Sequence, residues 1–318
     1  MRIPDVASGA KVLAFGHYQP ATIVTNDDLA RTMDTNDEWI QSRVGIKERR
    51  IAPEGESVED MAVQAGGKAL AASGLSSADI DLVIVATCTL ESQIPNAAAV
   101  VAHRLGIQSP GAFDVNAACA GFCYALATAS AAVRGGAARN VLVIGSEKLS
   151  QWIDWTDRAT AVIFADGAGA AVVTASDTPG IGPVVWGSAG DRSDAIIIND
   201  RDSFLHQEGQ TVFRWATTAL HPVAREACER AGVDPSQLAA FVPHQANLRI
   251  IEAIARKLGA DNAVIARDIV TAGNTSAASI PLALSRMLER GEVRSGDLVL
   301  ALGFGAGLTY AGQVIEIP

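Results

Sequence analysis

The sequence predicts a duplicated α/β protein, and three observations carry that expectation. Runs rich in β-branched residues alternate with Ala-rich helical runs along the chain, the pattern of helices layered on sheets. Landmark glycines then recur: Gly74, Gly106, Gly135 and Gly145 have counterparts in Gly232, Gly259, Gly291 and Gly303, each about 155 residues further on. Finally, 318 residues, 49% hydrophobic and 19% charged, suffice for two packed units of ~150 residues each. The repeats are expected to divide into residues 1–181 and 182–318 around a pseudo-twofold axis.

Taken in order, "VEDMAVQAGGKALAASG" (58–74) reads as a helix stopped by Gly. "DLVIVATC" (81–88), "NVLVIGSE" (140–147) and "GAAVVTA" (169–175) read as buried strands. Between them, "GAFDVNAA" is strand-like and "AGFCYALATASAAVRGG" is helical. In the second half, "TTALHPVAREACERAG" (217–232) is a helix, "FVPHQAN" (241–247) begins as a short strand, and "DLVLALG" (297–303) is a buried strand. The stretch from 182 to 216 has no good match in the first half. It reads as loop and short hairpin, either beside a ligand channel or as a plain surface excursion.

Composition excludes several classes. A formal charge of −10 suits neither a nucleic-acid binder nor a broad anionic surface partner, although a local basic patch is compatible with it. No run of about 18 apolar residues occurs, so no membrane span is expected, and the first residues lack a signal-peptide core. The cysteines at 88, 119, 123 and 228 form neither a metal-like pair nor a disulfide framework, which fits reduced thiols in a cytoplasm.

Four segments could do chemistry. Cys119 lies where a strand hands over to a helix, flanked by Ala117, Ala118, Ala120 and Gly121. A helix N-terminus there favours a thiolate, while a buried structural thiol is the commoner fate of a free cysteine. His244 ends a short strand, where α/β sheets open toward ligands; a surface or capped histidine is the commoner fate of a lone one. Asn274, between a strand-like run and a helix, falls near the second-half position of Cys119; alone it reads as a helix cap. "GFGAGLT" (303–309) fits no nucleotide-binding loop, but so tight a backbone can present N–H groups to an oxyanion.

These segments, with "TNDEWIQSRVGIKERRIA", "AACAGFCYAL", "TDRATAVIFADGAGAAVV", "VPHQANLRIIEAIARKLG" and "TAGNTSAASIPLAL", resemble β-ketoacyl-acyl-carrier-protein synthase III, a condensing enzyme of the thiolase-like superfamily. The resemblance spans essentially the whole chain. It implies a thiolase-like fold in five layers, α-β-α-β-α. It implies that Cys119 is acylated by a short acyl-CoA, that His244 and Asn274 stabilise the enolate formed when malonyl-acyl-carrier protein loses CO2, and that the product is a 3-oxoacyl-carrier protein. Backbone N–H groups of Cys119 and Ala306 would hold the oxyanion, with Ala306 standing where the family usually has Gly, and Phe304 would gate the malonyl carboxylate. Trp39 and Arg158 would sandwich the CoA adenine near Thr35, Arg43 would meet a phosphate, and Phe213, Ala246 and Asn247 would line the pantetheine channel. Ile94 would close the acyl pocket of a partner subunit in a homodimer paired near residues 113–118. No cofactor or metal is implied, since acyl-CoA and malonyl-acyl-carrier protein are substrates.

An acidic carrier protein needs a basic landing site. Arg249, Arg256 and Lys257 share one face of the helix "NLRIIEAIARKLG", and Arg214 could join them; a solvated face diluted by Glu252 is the alternative. Other readings fit less well. A thiolase would use a second cysteine near the end, and none follows Cys228. Chalcone-synthase-like enzymes lack the N-terminal segment, and a papain-like hydrolase would show its own cysteine signature. A primer-loading enzyme of a secondary-metabolite pathway and a non-catalytic acyl-binding protein remain as alternatives.

Overall fold

The computed structural model describes residues 7–318. Its first sheet contains β1 (Gly9–Tyr18), β2 (Leu82–Ala86), β3 (Gly111–Val115), β4 (Asn140–Lys148) and β5 (Asp166–Ser176), ordered β1-β5-β4-β2-β3. The second contains β6 (Val185–Gly187), β7 (Ala240–Pro243), β8 (Val264–Ile265), β9 (Leu298–Phe304) and β10 (Tyr310–Glu316), ordered β6-β10-β9-β7-β8. The two orders are one permutation repeated. The directions repeat too: β4, β2 and β3 run parallel, as do β9, β7 and β8, and the remaining neighbours are antiparallel.

Helices complete five layers. The helix α1 (Asp37–Val44) lies outside the repeat. α2 (Val58–Ser73) and α3 (Ala97–Arg104) cover the outer face of the first sheet, and α5 (Gly209–Ala231) and α6 (Leu248–Leu258) that of the second. Between the sheets lie α4 (Gly121–Arg134) and α7 (Ser279–Glu289). Composition explains the assignment. On α4, Phe122, Cys123, Ala125, Leu126 and Ala129 are all buried, and α7 is buried continuously from Ser279 to Ser285, so both need protein on every side. By contrast, α6 buries Ile250, Ile251, Ile254 and Leu258 and turns Arg256 and Lys257 outward, the stripe of an outer-layer helix.

Glycine on each central strand lets the repeats interlock. A Cβ at Gly145 would come 2.4 Å from the Ala277 carbonyl oxygen, and one at Gly303 would come 2.9 Å from the Ala120 Cα. Each repeat thus presses the start of its middle-layer helix onto the other's central strand, around the pseudo-twofold axis.

Two readings need correction. The partner of Gly291 is Gly136, since both end their helices at positive φ (73° and 69°), whereas Gly135 is right-handed. The helix read as beginning at 217 starts at Gly209: "TVFRW" has strand-like composition, yet Val212, Trp215 and Ala216 bury themselves at helical spacing. Before it, the 182–208 stretch holds β6 and a two-residue hairpin, Ile196–Ile197 against His206–Gln207. Among the described residues no helix is long and apolar enough to cross a membrane.

Candidate active site

After β3 the chain turns sharply into α4. Asn116 Oδ1 accepts the Ala118 N–H at 3.3 Å, Ala118 takes a left-handed conformation (φ 45°), and Cys119 follows in the 3₁₀ turn Ala118–Ala120 that leads into the helix. The second repeat makes the same turn. Asn274 Oδ1 accepts the Ser276 N–H at 2.8 Å, Ser276 is left-handed (φ 49°), and Ser276–Ala278 leads into α7. The true counterpart of Asn274 is therefore Asn116, and that of Cys119 is Ala277, which corrects the expected match of Cys119 with Asn274. The run before Asn274 is also helical (Ile269–Ala272) rather than strand-like.

Asn274 is held firmly. Its N–H donates to Ile163 (3.0 Å) and its carbonyl accepts from Ala165 (2.9 Å). With Oδ1 engaged by Ser276, its side-chain amino group is the end left to donate. His244 follows β7. Its Nδ1 is 2.7 Å from Ser279 Oγ, which also accepts the Gln245 N–H at 3.3 Å. Phe304 meets the imidazole edge-on, with centroids 5.2 Å apart. Burial pulls the His244 pKa down to about 3, so the ring is neutral throughout the physiological range.

Cys119, His244 and Asn274 line one cavity of about 960 Å³, together with Phe304, Gly305 and Ala306. The backbone at Gly305 approaches Cys119 so closely that an added Cβ would sit 2.7 Å from the Cys119 nitrogen and 3.1 Å from its sulfur. Ala306 avoids positive φ, which the adjacent Gly307 takes up (68°), so a Cβ is tolerated there. Cys119 and Ala306 each occupy a short 3₁₀ turn beside the cavity, Ala118–Ala120 and Ala306–Leu308. Burial pushes the Cys119 thiol up to about 12, against the expectation that the helix N-terminus lowers it.

At the cavity mouth, Arg158 lies over Trp39 at 5.0 Å and Arg43 at 5.8 Å from the ring centroid. Arg158 is steadied by the Asp34 carbonyl at 2.9 Å. Asn247 caps α6 and donates to the Arg43 carbonyl at 3.2 Å, tying α1 to α6. Phe213, Arg214, Ala246, Asn247 and Arg249 line the same mouth, and Arg249 rests over the Phe213 ring at 5.1 Å. Thr35, Arg256 and Lys257 stand outside the lining, and the Lys257 ammonium is drawn to the Thr217 carbonyl at 2.7 Å. Ile94 also stays outside its own chain's cavity, at 84% exposure.

Sequence reasoning passed over Ser276, Ser279, Gly305 and Glu147. The first three sat unremarked inside quoted segments. Glu147 sat inside a quoted segment too, and carried a visible signal, a carboxylate following the apolar run Val141–Ile144 of a buried strand. It is fully buried and accepts from the Thr87 and Thr89 hydroxyls, the Cys88 N–H and thiol, and the Ser276 hydroxyl.

The family model described as 3-oxoacyl-[acyl-carrier-protein] synthase III matches residues 113–190, and that for the C-terminal part of the same synthase matches residues 228–317. A relative from Streptomyces coelicolor, named β-ketoacyl-[acyl-carrier-protein] synthase III 4, is 58% identical over 98% of this chain and 99% of its own. A mycobacterial β-ketoacyl-[acyl-carrier-protein] synthase III from Mycobacterium avium is 49% identical over 96% of this chain and 95% of its own. Among solved structures, the priming β-ketosynthase of the R1128 polyketide biosynthetic pathway superposes with a TM-score of 0.96 at 44% identity, covering 100% of this chain and 98% of its own. The 3-oxoacyl-[acyl-carrier-protein] synthase III of Aquifex aeolicus gives 0.93 at 42% identity, covering 97% and 100%.

Proposed function

The chain belongs to the 3-oxoacyl-[acyl-carrier-protein] synthase III family, and on that premise we propose how its cavity performs the family's condensation. The protein is an acyl-transferring condensing enzyme of thiolase-like fold. It initiates fatty acid synthesis by joining an acyl-CoA to malonyl-acyl-carrier protein with loss of CO2.

In our reading Cys119 attacks the thioester carbonyl, and the oxyanion points at the backbone N–H groups of Cys119 and Ala306, which both line the cavity. CoA leaves and malonyl-acyl-carrier protein takes its place. As the malonyl carboxylate departs past Phe304, negative charge collects on the thioester oxygen. Fixed neutral donors stabilise that charge better than a mobile base would. Ser279 directs its hydroxyl proton to His244 Nδ1, which leaves the ring proton on Nε2, and Asn274 offers its amino group. The resulting carbanion attacks the acyl-Cys119 and frees the 3-oxoacyl product.

The observation that carries this reading is the shared cavity: a thiol from one repeat beside an imidazole and an amide from the other, behind a mouth of tryptophan and arginines. Arg158 and Trp39 suit an adenine, Arg43 a phosphate, and Phe213, Ala246 and Asn247 the arm between. Arg214 and Arg249 at the rim, with Arg256 further along α6, would receive the acidic carrier protein. We also propose a homodimer: β3 is a sheet edge with Phe113 exposed, and the protruding Ile94 would reach a partner's acyl pocket. The test is incubation with a panel of acyl-CoAs, digestion and mass spectrometry. An acyl mass on the Cys119 peptide is expected; an unmodified Cys119 with every acyl-CoA would refute the reading. The priming ketosynthase among the solved structures favours one second reading, a primer-loading role in a polyketide pathway. It would show as a preference for larger primers in the same panel.

A further inference from the structure

The two enolate donors come from different segments, and the gap between them has to be held. His244 follows β7, while Asn274 follows the short helix Ile269–Ala272. β7 and β8 pair in parallel, and the ladder runs on alternate carbonyls: that of Ala239 accepts from the Val264 N–H (2.8 Å) and that of Phe241 from the Ala266 N–H (3.0 Å). The next carbonyl of the series belongs to Pro243, but after Ala266 the chain leaves the sheet toward the helix. Gln245, which is buried, fills the break with its side chain. Its Nε2 donates to the Pro243 carbonyl at 2.7 Å and the Ala266 carbonyl at 3.4 Å, and its Oε1 accepts the Ile269 N–H at 3.1 Å. That N–H opens the helix and has no acceptor within it. Carbonyls at one end and an N–H at the other fix which way round the carboxamide sits. One turn on, the Ile269 carbonyl accepts the Gly273 N–H (3.0 Å), and Asn274 follows. On the other side of Asn274 in the sequence, Ser279 meets His244 Nδ1 and the Gln245 N–H.

We infer that Gln245 is a positioning residue for decarboxylation: its carboxamide fixes the separation between His244 and Asn274. It replaces a missing rung of the sheet on the residue before His244 and caps the helix that delivers Asn274. Removing it leaves the buried Pro243 carbonyl unpaired and lets the strand and the helix drift apart. Cys119 sits on the other repeat, so its acylation does not depend on that separation.

This inference rests on His244 and Asn274 being the enolate donors, and the experiment separates the two. CO2 release from malonyl-acyl-carrier protein and single-turnover acylation of Cys119 are measured across pH in the wild type, Gln245→Met, Gln245→Glu, His244→Ala and Asn274→Ala. Gln245→Met should lower kcat for decarboxylation at least about tenfold at every pH, with KM and the acylation rate within about twofold of wild type. In Gln245→Glu the introduced carboxyl cannot donate to Pro243 when ionised. Once protonated, its O–H donates there while its carbonyl accepts from Ile269. Decarboxylation should therefore return toward the wild-type rate as pH falls, within a working range that burial of the carboxyl moves upward. The three carboxamide partners are backbone groups and do not titrate. His244 stays neutral well below pH 5. Arg267 is paired with Glu252 (3.9 Å), and Asp268, raised by burial, is paired with Arg290 (3.0 Å) and Arg286 (3.8 Å); the wild type at each pH controls for these groups. If Gln245→Met misfolds, Gln245→Glu at low pH, where it matches glutamine in shape and hydrogen bonding, carries the test. Wild-type decarboxylation in a folded variant, equal loss of both half-reactions, or a Gln245→Glu defect that ignores pH would each overturn the positioning role. Wild-type decarboxylation in both His244→Ala and Asn274→Ala would instead overturn the underlying reading.

Discussion

Replacing Gly305 by alanine tests how tightly the two repeats hold the reacting thiol. The backbone there is extended (φ −175°), so alanine meets no conformational strain, and the whole effect comes from contact. The new Cβ would lie 2.7 Å from the Cys119 nitrogen, 2.8 Å from its Cβ and 3.1 Å from its sulfur. The first of these is a backbone atom and cannot swing aside. To recover ordinary van der Waals separation, the elbow or the Gly305 loop must retreat by about 0.7 Å. Overpacking of this kind costs about 1–3 kcal/mol in stability. A displacement approaching 1 Å at a reacting centre costs on the order of 100-fold in rate. The assay is the rate of acyl transfer to Cys119 beside thermal unfolding, with Gly55→Ala as control, because nothing lies within 4 Å of that position. A Gly305→Ala protein that acylates at the wild-type rate with unchanged melting would refute the close approach.

Other perturbations separate the remaining parts of the site. His244→Ala and Asn274→Ala should each slow malonyl decarboxylation about 100-fold while still taking up an acyl group, read as CO2 release and mass on Cys119. Because the folded pKa of His244 lies near 3 and the unfolded value near 6.5, its stabilising contribution is complete above pH 6.5 and is lost as pH falls toward 3. At pH 5 the wild type should therefore have lost about 2 kcal/mol relative to His244→Asn, measured as the difference between their denaturation midpoints at pH 7.5 and 5. Arg158→Ala should raise the acyl-CoA KM about three- to fivefold with kcat unchanged, the worth of an exposed cation–π contact.

The sequence made the layered repeat readable because glycine punctuation survives where geometry demands it. Gly74 and Gly232 both end helices at positive φ, and Gly145 and Gly303 both admit a neighbouring backbone. The matching of Cys119 to Asn274 slipped because a helix start is a poor ruler. The left-handed residue in the turn, Ala118 or Ser276, marks the register, and nothing in those side chains announces it. The early start of α5 was hidden by β-branched and aromatic residues whose helical face appears only once the second sheet is there to bury it. Which side chains share the cavity with Cys119 was visible only as segments. That Ser276 and Ser279 sit on opposite sides of the site, one toward Glu147 and one toward His244, depends on the turn of a single 3₁₀ element.

The central claim is a division of labour between a thiol from one repeat and a donor pair from the other. Cys119→Ala, shown to be folded, tests it most directly when given malonyl-carrier protein and acyl-CoA in separate reactions. No acyl group should be retained while CO2 continues to be released. Complete loss of decarboxylation, or an acyl group retained on another residue, would contradict it.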